Sequence, residues 1–328
     1  MPDPGRVLIA VGLERTDRPD VLDTLRCVES VKAVFAGRGL PVEPLYVRSE
    51  DFPGLDRVRE TILSGSPLKI FNLFEGFSGD SGKEVTFASM LEKLRVPFTG
   101  NPSVALEMCL DKAKAKQRLA RRGILVPRGV FLQRLEGAPW KGLNFPLFVK
   151  PCFEDGSVGV EKDSLIQDAE GIEALLRMKL AGFPRGILLE EFIPGKEFSV
   201  GFLGAPPYEV LGVSMIDYSL YSGSLPFLHY GSKWDPQCTE FHEILPVLEE
   251  GIAPSLRERL VDTARKAGEA LGCRGYFRVD LREREGRLYV LDVNPNPDLN
   301  EDSGFARQGR KRGYSYPEVV ERILFYAN

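Results

Sequence analysis

At 328 residues the chain is too long for one small core and suits two or three domains. Its 43% hydrophobic and 27% charged residues are those of a globular protein, and a net charge of −4 gives no general affinity for nucleic acid. No window approaches the roughly 18 apolar residues of a membrane span. The five scattered cysteines and two histidines show no Cys-x-x-Cys spacing, so neither a disulfide framework nor a zinc site is indicated.

In chain order, the apolar run at 6–11 predicts a strand, and MPDPGRVLIAVG lacks the charged-then-apolar pattern of a signal peptide. A reduced, cytoplasmic location follows. Leu22, Leu25, Val28, Val31 and Phe35 keep helical spacing over 21–36, ended by Gly37 and Gly39. Strands follow at 42–47 and 69–74, with helices at 55–63 and 84–94. Strands alternating with helices predict a parallel sheet covered on both faces. No GxGxxG opens it, so a dinucleotide fingerprint is absent. This first domain spans 1–102.

One long helix is predicted at 103–122, closed by Gly123. Strands at 146–151 and 186–192 flank a helix at 168–180. Strands at 197–203 and 209–216 lead into a loop at 217–240 rich in Tyr, Ser, Gly and Pro. A helix at 254–271, a hairpin and a terminal helix at 316–325 complete the chain. The basic stretches 111–122 and 307–312 read as solvated helix faces or loops rather than nucleic-acid patches. Domain boundaries fall at 103–196 and 197–328.

The hairpin YFRVDLREREGRLYVLDVNPNPDLN is the most informative stretch. Side chains at i and i+2 of a strand share a face. A three-residue turn centred on Gly286 pairs Asp280 with Asp292 and brings Asn294 and Arg278 to the same face. Two carboxylates and an amide oxygen suit Mg²⁺ bound together with substrate phosphates. Upstream, Lys150 ends the strand PLFVK beside PCFEDGSVGV, where Ser157, Gly156 and Gly159 allow phosphate oxygens to approach. Taken alone this fits a surface loop equally. ILLEEFIPGKEFSV places Glu190 and Glu191 before a Pro–Gly turn and Glu197 after it, a pattern for an adenine edge and a ribose, or for a solvated acidic hairpin.

In this order, the lysine of VKP, the glutamates of ILLEE and PGKEF, Arg-x-Asp and Asp-x-Asn resemble the ATP-grasp superfamily, and within it the D-alanine–D-alanine ligase group. FNLFEGFSGDSGKEVTFASMLEKLRVPFTGNP and LDKAKAKQRLARRGILVP extend the resemblance over nearly the whole chain. It implies an α/β fold, α+β in its nucleotide part. The three domains would be an N-terminal substrate and dimer domain with a parallel sheet, a central domain and a C-terminal catalytic domain, with ATP between the last two. It implies that Lys112 and Lys150 contact ATP phosphates, that Glu190 meets the adenine amine, and that the backbones of Glu191 and Ile193 meet the ring edge. Glu197 would bind the ribose and Lys233 the γ-phosphate. Asp280, Asp292 and Asn294 would hold two Mg²⁺ ions, with Mn²⁺ as the substitute. Arg278 would stabilise an oxyanion, and Ser303 would hold the second substrate's carboxylate. The implied partners are small-molecule carboxylate and amine substrates of the amino-acid class and a second copy of the chain in a homodimer, with no nucleic acid and no membrane.

The reaction so implied makes an acyl phosphate from one carboxylate and ATP, then an amide by attack of an amine. The loop 217–240, with Tyr218, Tyr221, Phe227, Tyr230 and Trp234, reads either as a lid over that intermediate or as a loop packed on the core. The sequence departs from the group on the substrate side. Its Ser-x-Glu stretch is GLERTDRPD here, with Glu14 and Asp20 as stand-ins. Its His-Gly is Glu75-Gly76, its metal-binding glutamate is Asp292, and a glycine is Asp298. Glu75 and Asp298 would favour a nearby cation. Three alternatives stay open: a D-alanine–D-alanine ligase of cell-wall synthesis, a non-catalytic ATP-binding regulator, and a phosphotransferase that forms no amide.

Overall fold

A computed structural model gives residues 5–14, 18–77, 79–221, 223, 225–248 and 251–327, with backbone alone for Asp20 and Leu248. β1 (Val7–Gly12), α1 (Pro19–Gly37), β2 (Val42–Val47), α2 (Asp56–Gly65), β3 (Lys69–Leu73) and α3 (Gly82–Leu94) build the first unit. Its strands run parallel in the order β2-β1-β3. Val7, Ile9 and Val11 join Val28, Val31 and Phe35 of α1 in one core, while Leu8 and Ala10 join Val58 and Ile62 of α2 and Phe87 of α3 in another. Both faces are covered, which is why β1 is apolar throughout rather than alternating.

The predicted single helix at 103–122 is two, α4 (Ser103–Leu110) and α5 (Lys112–Arg121). Asp111 breaks it: its φ/ψ of −83/88 leave the helical region and its side chain accepts from Lys114 N at 3.0 Å, an N-cap for the second helix. β4 (Gly129–Leu132), β5 (Leu147–Pro151), β6 (Leu165–Ile166), α6 (Ile172–Gly182) and β7 (Ile187–Glu191) follow. Their antiparallel sheet has the order β4-β7-β5-β6, and α6 packs Ile172 and Leu176 against Val149 and Leu189.

The third sheet, β10-β9-β8-β11-β12, is also antiparallel. It comprises β8 (Lys196–Gly204), β9 (Glu209–Asp217), β10 (Leu245–Leu248), β11 (Gly275–Arg284) and β12 (Arg287–Pro295). Short helices α7 (Tyr230–Trp234) and α8 (Thr239–Glu243) precede β10; α9 (Pro254–Leu271), α10 (Gly304–Arg312) and α11 (Tyr316–Phe325) complete the order. α9 buries Leu260, Ala264 and Ala267 on one face of the sheet, sharing that core with Ala115 and Leu119 of α5. α10 and α11 lie on the other face, where Phe305, Val320 and Ile323 meet Leu203, Tyr276 and the core beneath β1. The parallel first sheet and the two antiparallel ones are the α/β and α+β mixture expected from the sequence. The strands not predicted, β4, β6 and β10, are short edge strands, where little burial leaves little pattern to read.

Candidate active site

The C-terminal hairpin pairs Asp280 with Asp292 and Arg278 with Asn294, so all four side chains share one face. The pairing arises differently from the expected three-residue turn. Arg284 pairs with Arg287 across a two-residue turn, Glu285–Gly286, with φ of +52 and +75. Leu281 pairs with Val290, and Leu291 is an extra residue in β12. This bulge lets Val290 and Val293 both enter the core beside Val279 and Leu281 while turning Asp292 toward Asp280.

Arg278 donates to both Asp280 oxygens, at 2.8 and 2.9 Å. Ser199 Oγ and Asn294 Nδ2 add donors at 2.6 and 2.7 Å. Burial works to raise the Asp280 pKa, but Arg278, Ser199 and Lys233 outweigh it and the net shift is downward. Lys150, at the end of β5, reaches 2.6 Å from Asp292 Oδ2 and 3.7 Å from Glu190 Oε1. Against the same opposition from burial, Lys150, Lys112 and Lys116 bring Asp292 down to about 2. Lys112, the first residue of α5, bonds Glu154 O at 2.5 Å and Asp155 at 2.8 Å. Lys116 stands 2.8 Å from Glu190 Oε2. Three lysines from two elements thus converge beside the paired aspartates.

Glu190 is 4% exposed and points toward the lysines. Glu191 points the other way, accepting from Asn144 N and Nδ2 at 2.9 Å, and its own N–H donates to Arg128 O at 2.7 Å. Glu197 faces Arg282 across β8 and β11. Arg282 donates Nε and Nη2 to Glu197 Oε2 at 2.9 and 2.7 Å, with Tyr218 OH at 2.9 Å. Arg282 also holds Ile193 O at 3.0 Å, which fixes the strand end carrying Glu190.

The segment after β9 lies over the Gly-rich loop. Gly156 and Ser157 have φ of +61 and +65, a left-handed pair that turns the backbone sharply. Trp234 Nε1 donates to Gly156 O at 2.9 Å, and Tyr230 N to Val160 O at 2.9 Å. Phe227 packs with Phe148, Phe192 and Val160. Lys233, in α7, is swung toward the site. Burial and Arg278 lower its pKa, opposed by Asp280, Glu197 and Asp292.

At the other end of the cleft Ser303 caps α10, its Oγ accepting from Ala306 N at 3.1 Å. The acids nearby meet one another. Burial and Asp298 push Asp23 up to about 6, against Arg26, its ion-pair partner. Burial raises Asp298 too, with Asp302 adding. Glu84 is held well above the usual range by burial, with Glu75 adding and the 2.8 Å bond from Asn296 opposing. Asn300 Nδ2 joins Asp23 Oδ2 at 2.5 Å to Asp298 Oδ1 at 2.9 Å. A cavity of about 450 Å³ opens beside them, between Arg26 and Arg310. Of the stand-ins, Glu14 lies just beyond β1, and the side chain of Asp20 is outside the described residues.

Residues 133–325 match the family described as D-ala D-ala ligase C-terminus. The D-alanine–D-alanine ligase of Desulforudis audaxviator is 30% identical over 305 residues, 92% of each chain. That of Syntrophotalea carbinolica is 30% identical over 76% of this chain and 77% of its own. The chain belongs to the D-alanine–D-alanine ligase family. Its members are ATP-dependent ligases that form a carbon–nitrogen bond, and so is this chain. The fold agrees: a crystal structure of D-alanine–D-alanine ligase from Bacillus anthracis complexed with ATP superposes with a TM-score of 0.78 at 19% identity, covering 98% of this chain and 97% of that one.

The family resemblance in the sequence did not single out Lys116, Arg282, Ser199 or Tyr218. Two of them had a local signal. Lys116 is four residues after Lys112, on the same helix face, and Arg282 four after Arg278, on the same strand face. Ser199 and Tyr218 reach the site through strand pairing and loop packing, which no local spacing encodes. No helix among the described residues is long and apolar enough to cross a membrane.

Proposed function

We propose that this ligase joins the carboxylate of one amino acid to the amine of another, as in D-alanyl-D-alanine synthesis, with ATP cleaved to ADP and phosphate. The observation that carries the reading is the hairpin face, which gathers Arg278, Asp280, Asp292 and Asn294 and brings Asp292 to 2.6 Å from Lys150. ATP binding alone has no use for an arginine there. A carboxylate oxygen of the first substrate attacks the γ-phosphorus and the bond to ADP breaks. The amine nitrogen of the second substrate then attacks the acyl carbon, phosphate leaves, and the amine gives up a proton.

The side chains do little covalent work; they position and neutralise. Lys112, Lys116 and Lys150 offset phosphate charge from one side and Lys233 from the other. Glu190, with the backbone at Glu191 and Ile193, would take the adenine, Glu197 the ribose, and the Ser157 turn the phosphates. Asp280, Asp292 and Asn294 offer an all-oxygen donor set that would hold Mg²⁺, and the ion would supply positive charge against the phosphates. Arg278 faces the developing oxyanion, and the amide and hydroxyl at the start of α10, with Ser303, receive a carboxylate. The seated segment with Trp234 and Tyr230 excludes water from the acyl phosphate. This scheme treats 1–102, 103–196 and 197–328 as three domains. It places the enzyme in the cytoplasm, where its free cysteines stay reduced, as a homodimer through its first domain.

A second reading concerns the substrate. Asp23 and Asp298, gathered on Asn300 Nδ2, would suit an amino acid with a second cationic group as well as D-alanine. The test is ADP release with single amino acids and with pairs, D-alanine and cationic amino acids included. Release that needs both a carboxylate donor and an amine acceptor supports the ligase assignment. Release without an acceptor selects a phosphotransferase, and binding without turnover a regulator.

A further inference from the structure

The geometry points to a second metal site, for a transition-metal ion of the zinc class, built from His229, Cys238 and Glu240 in the segment that covers the Gly-rich loop. A ring nitrogen of His229, the Cys238 sulfur and a Glu240 oxygen lie within 4.8 Å of one another. The sequence gives no hint of this: the histidine and cysteine are nine positions apart, and α7 and the turn after it fold them together. Nitrogen, sulfur and carboxylate oxygen form a donor set that a borderline-soft ion takes and Mg²⁺ does not.

Two independent features mark it as more than a chance group. His229 is only 4% exposed; its Nδ1 accepts a long bond from Ser232 N at 3.4 Å, which metal binding would exchange for a changed tautomer, and its Nε2 meets no hydrogen-bond partner among the described residues, an uncommon state for a buried imidazole. The Glu240 carboxylate is also held in place. Lys162 binds Oε1 at 2.5 Å, leaving Oε2 turned to the sulfur, which donates to it at 2.9 Å. A lysine on the far oxygen orients a carboxylate as an outer partner orients a metal ligand. A Cβ at Gly231 would sit 3.3 Å from both Cys238 Sγ and His229 Cε1, so sulfur and ring close around that glycine.

On binding, a metal–sulfur bond replaces the Cys238 S–H bond and the proton leaves to water. Three protein ligands leave a fourth position for water. The ion would tie α8 to the start of α7 and brace the segment that carries Lys233 and Trp234. This inference does not rest on the ligase chemistry, and its test needs no turnover.

The full-length protein, stripped by chelator and free of ATP and Mg²⁺, is titrated with Co²⁺. The expected result is one ion per chain with thiolate-to-cobalt absorption. Cys238→Ser should lose that absorption, and His229→Gln should bind roughly tenfold or more weakly. His242→Gln, with its exposed imidazole nearby on α8, should titrate as the parent does. Circular dichroism reports whether His229→Gln folds; if it does not, Glu240→Gln carries the affinity test. Zn²⁺ should displace Co²⁺ and raise the unfolding midpoint of the parent but not of Cys238→Ser. Absence of the thiolate band, or the same band in Cys238→Ser, overturns the site.

Discussion

Around Lys150 the acids stand against cations, whereas around Asp23 acids stand against acids. Around Lys150, Asp292 pairs with Lys150 at 2.6 Å, Glu190 with Lys116 at 2.8 Å, Asp280 with Arg278 at 2.8 Å and Glu197 with Arg282 at 2.7 Å. On the other side, Asp298 and Asp302 act on Asp23, and Asp302 on Asp298, with Arg26 opposing at Asp23 and Arg278 at Asp298, while Glu84 faces Glu75 and Asp155. Burial pushes the carboxyl pKa up in both places. The lysines reverse it at Asp292, brought to about 2, and nothing comparable does so at Asp23, raised to about 6. One half carries its charge compensation within the protein. The other has a surplus of acid that a cationic ligand would relieve.

The largest expected effect comes from breaking the compensated half at its centre. Asp292→Asn keeps the shape but removes one of the two facing carboxylates. Turnover should fall on the order of 10²–10³-fold, the size of losing one preorganised electrostatic contact. Steady-state ADP release at saturating ATP checks this, with circular dichroism as the control for folding. Near-normal turnover would remove Asp292 from the metal role.

Arg282→Met tests whether compensation in this half also holds the fold. The Arg282 side chain is 3% exposed and that of Glu197 11%. Losing the guanidinium leaves a buried carboxylate and strands Ile193 O, so unfolding free energy should drop by about 3–5 kcal/mol. Denaturant midpoints measure it. Adding Glu197→Gln should recover part of the loss, because the uncompensated charge is then gone. A double variant no more stable than the single one would mean that packing, not charge, is at stake.

The two halves should also answer pH with opposite signs. Asp292 has a folded pKa of about 2 against an ordinary 3.8, so its stabilisation is present above 3.8 and is lost as pH falls toward 2. Asp23, raised to about 6, binds its proton more tightly when folded. It therefore subtracts stability as pH rises from 3.8 to about 6. Thermal midpoints of the parent minus those of Asp23→Asn should decline across that window. A flat difference would show Asp23 to be as well compensated as Asp292.

Much of the compensated half was legible because its residues sit at fixed spacings in regular elements. The ranges of β2, α9 and α11 match those expected from the sequence, and Asp280 does oppose Asp292. Even there the route was hidden. The bulge at Leu291 follows from Val290 and Val293 both seeking the core, which a count from Gly286 cannot show. Asp111 reads as one more polar residue in a basic helix until its side chain is seen to cap the next one. α10 was read only as a solvated helix face or loop because Arg307–Arg312 is polar, and its buried face, Phe305, Ala306 and Gln308, is too short to establish a period. The acids of the other half come from α1, the stretch after β3, α3 and the run after β12. Only the fold brings them together.

Asp298→Gly gives the smallest expected effect, because it removes a single acid, one that Arg278 already opposes in part. Asp298 accepts from Asn300 N at 2.8 Å and Nδ2 at 2.9 Å, and Asn300 in turn reaches Asp23. If the acid serves to attract a cation, removing it should lower kcat/KM for cationic amino acids relative to D-alanine by roughly tenfold, about 1.4 kcal/mol. Mass spectrometry of products from an equimolar mixture reads that ratio directly. If the acid serves only to anchor Asn300, both substrates lose together and the ratio stays where it was. Asp298→Asn separates the two further, since it keeps a side chain able to accept from Asn300 and removes only the charge. A shifted ratio in both variants would assign the surplus acid of this half to substrate choice; a shift in neither would make it a feature of the fold.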